Sequence, residues 1–230
     1  MRPLPPSTWT LADARDLPDG QDYAGSGLDW EPGTLLHAYA AGYFPMPRDL
    51  GSDTIDWWSP DPRAVFDPRA LRISRSLRAS IAKFRITMNA SFDDVVAACA
   101  DPARPSRWID SNVRLAYAEL HRLGWAHSVE VWSGEQLVGG LYGVELGGLF
   151  AGESMFHRAR DASKVALVAL ASMLRDGQRR IDSQWMTPHL ESLGAVAISR
   201  AQYINDLPRF LAEREVLHEV PAGSVITPRP

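Results

Sequence analysis

The sequence predicts an α+β fold, in which a small N-terminal domain precedes a larger mixed α/β domain. A proline-rich stretch closes the first 62 residues, an amphipathic helix covers 112–123, and three strand-like runs over 127–156 precede another helix and strand. The 230 residues are 45% hydrophobic, which is enough for a substantial core. We therefore expect two units, residues 1–62 and residues 63–230.

The N-terminal unit begins with an irregular lead-in of about twenty residues that have little capacity to bury themselves. A helix is predicted from Pro32, because Leu35 and Tyr39 share one face and Gly42 follows in a position to end it. Four prolines between residues 45 and 62 then disfavour helix. This stretch is expected to be extended or turning.

The larger unit opens with a basic block and a short strand over 84–88. A helix is expected to follow at Ser91, whose hydroxyl and the acid Asp94 three residues later form a capping-box pattern. A second helix is predicted over 112–123, because its apolar residues recur along one stripe and Gly124 follows them.

Three strand-like runs come next: HSVEVW (127–132), QLVGGLYGVEL (136–146) and GLFAGESMF (148–156). Turn signals separate them, which predicts an antiparallel meander. A helix over about 163–176 leads into the strand IDSQW (181–185), and a last helix over 198–213 is expected to break or kink at Pro208. This order is compatible with an N-acetyltransferase-like fold.

Composition places limits on location and chemistry. The single cysteine, Cys99, permits no internal disulfide and lies in an apolar helical run, which favours a buried structural thiol over a nucleophile. The acidic, proline-rich start is unlike a signal peptide, and no segment approaches the roughly 20 apolar residues of a membrane span. The sequence therefore predicts a cytoplasmic protein without a membrane association.

The net charge of −4 conceals a strong asymmetry. Residues 1–62 carry ten acids and three bases, whereas residues 63–85 carry seven bases and one acid. Such a basic block is a candidate footprint for a polyanion. A solvated helix face is the alternative, because Arg75 and Arg78 fall at roughly helical spacing.

Two polar side chains within IDSQW suggest a site. Side chains alternate along a strand, so Asp182 and Gln184 should share one face while Ser183 faces the other way. A carboxylate that accepts an amide N–H would orient the amide oxygen toward a substrate amine. Capping of the neighbouring backbone is the alternative.

Glu153 is a second acid among apolar strand residues. Ionised carboxylates are seldom buried without a partner, so an acid on each of two strands indicates either a cleft with acid/base work or a buried network with Arg or His. Both interpretations remain open from the residues alone.

Several motifs are absent from the sequence. It has no phosphate-binding or dinucleotide-binding glycine loop, no H-E-x-x-H, no G-x-S-x-G, and its six histidines lack metal-ligand spacing. The junction over 157–164, HRARDASK, contains no glycine, whereas an acetyl-CoA-dependent member of the proposed fold would usually carry a glycine-rich pyrophosphate loop there. We therefore expect no metal and no coenzyme A, and an acyl donor of another kind.

A set of strings then matches a known family in order. These are GYFP, WWSPDPRAV, HSVEVW, LVGGLYGV, LFAGESMF, ASKVAL, IDSQ and SLGA, spread from about residue 25 to 205. Together they resemble the leucyl/phenylalanyl-tRNA–protein transferase family. The resemblance implies a cofactor-free enzyme that moves Leu or Phe from aminoacyl-tRNA to the α-amino group of proteins beginning with Arg or Lys, marking them for degradation.

The resemblance also implies roles for individual residues. Asp182 would orient Gln184, whose oxygen receives the amine, and Glu153 would help to hold the aminoacyl group or the cationic acceptor. The implied pocket for the Leu or Phe side chain consists of Met46, Trp108, Tyr117, Leu141, Phe150, Ser154, Met155 and Ile181. The implied tRNA-binding residues are Arg75, Arg78, Lys83 and Arg85.

One pocket position departs from the family's pattern. Met46 stands where many members have Trp, which softens that edge of the pocket and makes Met a further candidate for transfer. We expect a monomer. The alternatives are a related transferase with another amine acceptor and a tRNA-binding module without catalysis.

Overall fold

The computed structural model describes residues 2–104 and 107–228. The N-terminal part contains helix α1 (Pro32–Ala40) and a three-stranded antiparallel sheet in the order β1-β3-β2, formed by β1 (Tyr23–Ser26), β2 (Phe44–Pro47) and β3 (Ile55–Trp58). Pro32 begins α1, as predicted, because its fixed φ suits the first helical turn. The prolines near residue 45 lie in β2, an edge strand of this sheet, where a missing N–H is tolerated.

The remaining strands form one eight-stranded sheet in the order β10-β4-β9-β8-β7-β6-β5-β11. Its strands are β4 (Arg63–Phe66), β5 (Arg85–Met88), β6 (Ala126–Ser133), β7 (Gln136–Leu146), β8 (Leu149–His157), β9 (Arg180–Gln184), β10 (Val196–Ile198) and β11 (Ser224–Val225). Neighbouring strands are antiparallel except β8 and β9, which are parallel. The predicted meander is confirmed as β6, β7 and β8.

Six further helices accompany this sheet in the described part of the chain. They are α2 (Arg75–Ile81), α3 (Phe92–Cys99), α4 (Ser111–Arg122), α5 (Ala162–Met173), α6 (Pro188–Ser192) and α7 (Arg200–Leu211). One core, on one side of the sheet, includes α1, α3, α4, α7 and the three-stranded sheet, and the second includes α2 and α5. The predicted fold class is confirmed: a small N-terminal part precedes a mixed α/β main part.

Helix α5 connects the two parallel strands and lies close to the sheet. A Cβ atom added to Gly139 of β7 would lie 2.5 Å from the Cβ atom of Ala162, so glycine is what lets the start of α5 approach. The helix ends at Met173, three residues before the predicted end, and Gly177 follows in a left-handed turn conformation.

One local prediction is wrong, and the break considered for the last helix is absent. The Ser91 hydroxyl donates to the Asp94 carboxylate at 2.7 Å and does not cap a backbone N–H of α3, because Ser91 adopts a φ of −156° and a ψ of 55°. Helix α7 is not broken at Pro208, since it continues to Leu211. Proline has no backbone N–H, so the helix loses one hydrogen bond at Pro208. The burial of Leu207 and Phe210 offsets this loss.

None of the helices in the described chain combines the length and the apolarity needed to cross a membrane. Cys99 is buried and its pKa is raised to about 11 by burial, which suits the structural role expected of it.

Candidate active site

The site lies where the two parallel strands separate. Strands β8 and β9 pair from Leu149 to Ala151 and from Arg180 to Asp182, and beyond these residues the pairing stops. A cavity of about 250 Å³ opens in the gap. Its floor and walls are mainly apolar, formed by Phe66, Leu141, Tyr142, Phe150, Met155, Leu167, Leu170, Ile181 and Leu190. We refer to it as the apolar cavity.

The predicted pocket residues fall into three groups. Leu141, Phe150, Ser154, Met155 and Ile181 all line the apolar cavity. Met46 and Trp108 line an adjacent cavity of about 440 Å³, which shares Glu153, Ser154 and Gln184 with the first one. Tyr117 lines neither cavity, because it is fully buried behind Glu153. The structure places it behind the cavity wall, where it supports Glu153.

Glu153 is held from below by two tyrosines. The Tyr39 hydroxyl donates to Oε1 at 2.6 Å, the Tyr117 hydroxyl donates to Oε2 at 2.8 Å, and the two hydroxyls contact each other. Burial raises the pKa of Glu153 to about 7, although the two tyrosine hydrogen bonds act in the opposite direction. A carboxyl group that titrates near neutral pH therefore borders both cavities.

Asp182 is fully buried and paired. Arg63, at the start of β4, donates Nε–H to Oδ1 at 2.9 Å and an Nη2–H to Oδ2 at 2.6 Å, and the Tyr203 hydroxyl donates to Oδ2 at 2.9 Å. Both charged side chains are 1% exposed. Such a fork-like, desolvated pair holds its members in one geometry.

Gln184 has a left-handed backbone, with a φ of 59°. The pairing of β9 with β4 shifts register at Ser183, and the backbone N–H of Gln184 donates to Asp182 Oδ1 at 3.0 Å. Its side chain lines both cavities, and its buried Nε2 has no hydrogen-bond partner among the described residues. Asp182 thus contacts the backbone of Gln184, and the predicted hydrogen bond to its side-chain amide is not formed.

The register shift also corrects the predicted alternation along IDSQW. Ser183 lines the same cavities as Gln184 instead of facing the other way, and its hydroxyl donates to the Ala64 carbonyl at 3.1 Å. Trp185 follows at the edge of the adjacent cavity, packed edge-to-face against Phe44 and Trp58. A bulge adds one residue to one strand, and strict alternation ends there.

The sequence interpretation missed Arg63, Tyr39 and Tyr203. Arg63 heads a strand that otherwise contains only Ala, Val and Phe, and an arginine in such a fully buried run demands an acidic partner. This arginine in an apolar run is therefore a sequence signal for the buried ion pair. The two tyrosines carried no comparable signal, because their helical positions fit an ordinary core face.

The four predicted tRNA-binding residues are all exposed. Arg75 and Arg78 lie on α2, Lys83 follows that helix, and the Arg85 guanidinium stacks over the Trp132 ring at 4.9 Å. Helix α2 packs against α5, and the Ser80 hydroxyl donates to the Asp161 carboxylate at 2.9 Å. The basic block is therefore attached to the start of α5.

The fold and the site together indicate a class of enzyme. An apolar cavity bordered by a near-neutral carboxyl group and an unpaired amide suits a transferase that holds an apolar group beside an acid/base centre. Comparisons with known proteins identify that class more closely. Residues 65–208 match the model of the leucyl/phenylalanyl-tRNA protein transferase family, and residues 29–61 match the model of that family's N-terminal domain. The chain belongs to this family of aminoacyltransferases.

Individual relatives agree with the family match. The chain is 50% identical to a leucyl/phenylalanyl-tRNA–protein transferase of Shewanella baltica over 193 residues, covering 82% of this chain and 81% of the relative. It is 48% identical over 199 residues to the protein of the same description from Shewanella oneidensis, covering 84% of each chain. The predicted family is confirmed. Among solved structures, L-PGS from Bacillus licheniformis aligns with a TM-score of 0.38 and 12% identity, over 70% of this chain and 55% of that one.

Proposed function

We propose that the protein transfers leucine or phenylalanine from aminoacyl-tRNA to the α-amino group of proteins that begin with Arg or Lys, and so marks them for degradation. The observation that carries the proposal is the apolar cavity of about 250 Å³ with Glu153 and Gln184 at its mouth. Family membership supports the choice of acceptor and the role in degradation. Met is a third candidate for transfer. The cytoplasmic location and the monomeric state stay predictions.

The apolar cavity would bind the side chain of the transferred amino acid. Its walls offer aliphatic and aromatic surface, including Leu141, Phe150 and Ile181, which suits apolar side chains of moderate size. A methylene difference in such a pocket is worth only about 1–3 kcal/mol. We therefore expect modest discrimination among Leu, Phe and Met and strong rejection of charged amino acids.

Proton removal from the acceptor is the chemical obstacle. The ester on tRNA is already activated, whereas an α-amino group, with an ordinary pKa of about 7.7–8.0, is mostly protonated at neutral pH. Glu153, with its pKa of about 7, is suited to accept that proton, because the best general bases titrate near the working pH. We assign Glu153 this role, in addition to contact with the aminoacyl group.

Gln184 would hold the reacting groups in line. Its side-chain amide is buried, borders both cavities and has an unpaired Nε2. One end of the amide can accept from the amine while the other donates to an oxygen of the acyl group. Asp182 acts indirectly in this proposal: Arg63 and Tyr203 already occupy its oxygens, so it fixes the backbone of Gln184 and transfers no proton.

The proposal is tested with radiolabelled leucyl-tRNA and peptides that differ only at the first residue. We expect label to pass to a peptide beginning with Arg and not to the same peptide with an acetylated α-amine. Replacement of Gln184 by the similarly sized Met should lower kcat by about 10²-fold or more at nearly unchanged stability, since the buried Nε2 has no hydrogen bond to lose among the described residues.

Two results would count against this function. Failure to label the Arg peptide while the protein binds the tRNA would refute transfer to N-terminal Arg. Equal labelling of the acetylated peptide would show that the acceptor is a group other than the α-amine.

A further inference from the structure

A third cavity also adjoins the apolar cavity, and its lining is mainly polar and charged. It measures about 750 Å³ and lies between the end of β8 and the start of α5, with Arg104 on its other side. The two cavities share Met155 and His189 in their walls. We call this third cavity the basic groove.

The basic groove has a surplus of positive charge. Its lining carries four permanent cations, Arg104, Arg158, Arg160 and Lys164, and one acid, Asp161. That carboxylate already accepts from Ser80 at 2.9 Å and pairs with Lys164 at 3.5 Å and Arg160 at 3.8 Å. It is thus saturated by local partners, and the groove as a whole keeps an excess of about three positive charges at neutral pH.

One of these cations is fixed in place. The Arg104 guanidinium donates to the carbonyl oxygens of Cys99 at 2.8 Å and Met155 at 2.9 Å, and it is partly buried. A third contact runs from Arg104 to the Ser154 hydroxyl at 3.5 Å, and none of the three partners carries a formal charge. The charge of Arg104 is therefore not compensated by an acid in these contacts. A cation held by several hydrogen bonds in a concave wall, with no acidic partner among the described residues, is arranged to meet an anion from outside.

The basic groove is continuous with the basic block. Ser80 belongs to α2, the helix that carries Arg75 and Arg78, and its bond to Asp161 joins that helix to the rim of the groove. Positive side chains therefore run from α2, across the start of α5, to the wall shared with the apolar cavity. Met155 and His157 are two strand residues apart, roughly 7 Å, so the groove begins within one nucleotide of the cavity.

We propose that the basic groove binds the backbone phosphates of the single-stranded 3′ end of tRNA while the attached amino acid occupies the apolar cavity. This inference rests on the proposed function. A ligand tethered by an ester to a group in the apolar cavity must leave through its mouth, and its first charges are phosphates. The positive charge of the groove also repels an acceptor that begins with Arg or Lys.

The test compares two tRNA ligands and two pairs of substitutions. The groove variant is Arg160→Gln with Lys164→Gln. The matched control is Arg209→Gln with Arg214→Gln, two exposed cations in the last turn of α7 and just after it. This helix contacts Gly148, the residue before β8, through the bond from Gly148 N–H to the Phe210 carbonyl, and so lies at the opposite end of that strand from the groove. Binding of intact tRNA and of tRNA lacking its single-stranded 3′ end is measured by filter retention between 50 and 200 mM salt, after circular dichroism confirms folding.

We expect the groove variant to bind intact tRNA about 10-fold more weakly than the unaltered protein at low salt. The slope of its log affinity against log salt concentration should be shallower by about one phosphate contact. Its affinity for the shortened tRNA should equal that of the unaltered protein. The control should change neither affinity. Equal weakening for both ligands would overturn the inference, because the groove would then contact the duplex, and so would unchanged affinity for intact tRNA. If inorganic polyphosphate competes with both ligands equally, the groove is a general anion site and the assignment fails.

The proposed function and the groove can fail separately. Transfer to the Arg peptide with no effect of the groove variant would refute the groove alone. Loss of affinity for intact tRNA in the groove variant, without transfer by the unaltered protein, would leave the groove standing and refute the transfer.

Discussion

Glu153 and Asp182 are two carboxylates of one site in opposite surroundings. Glu153 receives two neutral tyrosine hydroxyls, and its burial raises its pKa to about 7. Asp182 is paired with the buried guanidinium of Arg63. Pairs of acids whose surroundings differ in this way commonly divide the chemistry between them. Here Glu153 is assigned the acceptance of the amine proton, and Asp182 is assigned the positioning of Gln184.

The first prediction concerns the pH dependence of transfer. Since ionised Glu153 is the proposed base, the rate should fall as the pH drops below about 7. Glu153→Gln should lower the rate by about 10²-fold or more and remove that part of the profile. The measurement is kcat/KM for transfer between pH 5.5 and 8.5. An unchanged profile in the variant would assign the titration to another group.

Glu153→Gln, which should lower the rate of transfer, should raise the stability of the protein at high pH. Burial raises the pKa of Glu153 from its ordinary 4.5 to about 7, so the folded state binds the proton more tightly than the unfolded state does. This proton adds to the free energy of unfolding fully below pH 4.5, and its contribution is lost as the pH rises through about 7. Glu153→Gln should therefore unfold at a higher urea concentration than the unaltered protein at pH 8, and at nearly the same one at pH 4. A variant that is less stable at pH 8 would contradict the raised pKa.

The second prediction concerns the buried ion pair. Asp182→Ala leaves the Arg63 charge buried without its partner, which should cost about 3–5 kcal/mol of unfolding free energy. The double substitution Arg63→Met with Asp182→Leu should recover most of that stability and none of the activity. Urea unfolding and the transfer assay measure the two effects.

An exposed ion pair provides the control for this experiment. Arg122→Met breaks the pair with Glu119 on α4, whose side chains are 68% and 40% exposed, and should change stability by less than about 1 kcal/mol. If Asp182→Ala costs no more than this control, then the Arg63 pair is not what holds the end of β9.

At the scale of elements, the end of β9 determines the site. The strand begins as an ordinary parallel partner of β8, and after its register shift at Ser183 three consecutive residues, from Asp182 to Gln184, border the same cavity. The alternation of the string predicted that Asp182 and Gln184 share a face. It missed Ser183, because a bulge depends on the partner strand β4 and leaves no pattern in β9 alone.

Helix α2 is the second element with a functional consequence. Arg75→Glu with Arg78→Glu should weaken tRNA binding and reduce its salt dependence by about two phosphate contacts, because both side chains are exposed on α2. Filter binding between 50 and 200 mM salt measures this. Arg209→Glu with Arg214→Glu is the control, and it should leave the slope of log affinity against log salt concentration nearly unchanged. Equal slopes for the unaltered protein and the α2 variant would remove the basic block from the tRNA interface.

For the whole molecule, the small N-terminal part and the main sheet share one core. Leu36 and Tyr39 of α1 lie in the same buried cluster as Tyr117 and Tyr142, and Arg63 donates to the carbonyl oxygen of Gly42 at 3.1 Å. Tyr39 also supplies a hydrogen bond to Glu153. The boundary predicted at residue 62 stays a prediction about domains, while the contacts across it are part of the site.

This shared core predicts a single cooperative unfolding transition. Hydrogen exchange of peptides from residues 32–58 and from residues 126–157 should reach its midpoint at the same urea concentration, because neither part buries its apolar surface alone. Exchange measured by mass spectrometry at increasing urea provides the comparison. An earlier midpoint for residues 32–58 would show that the N-terminal part unfolds on its own.

The sequence by itself determined the order of the elements, the meander, the family and the two strands that carry the acids, because periodicity, turn residues and long strings are local properties of the chain. It also indicated most of the apolar cavity. The tertiary structure alone decided that Arg63 pairs with Asp182, that Tyr39 and Tyr117 bind Glu153, and that the HRARDASK junction faces a groove beside the cavity. These contacts join residues far apart in the chain, and their energies depend on burial, which no local pattern records.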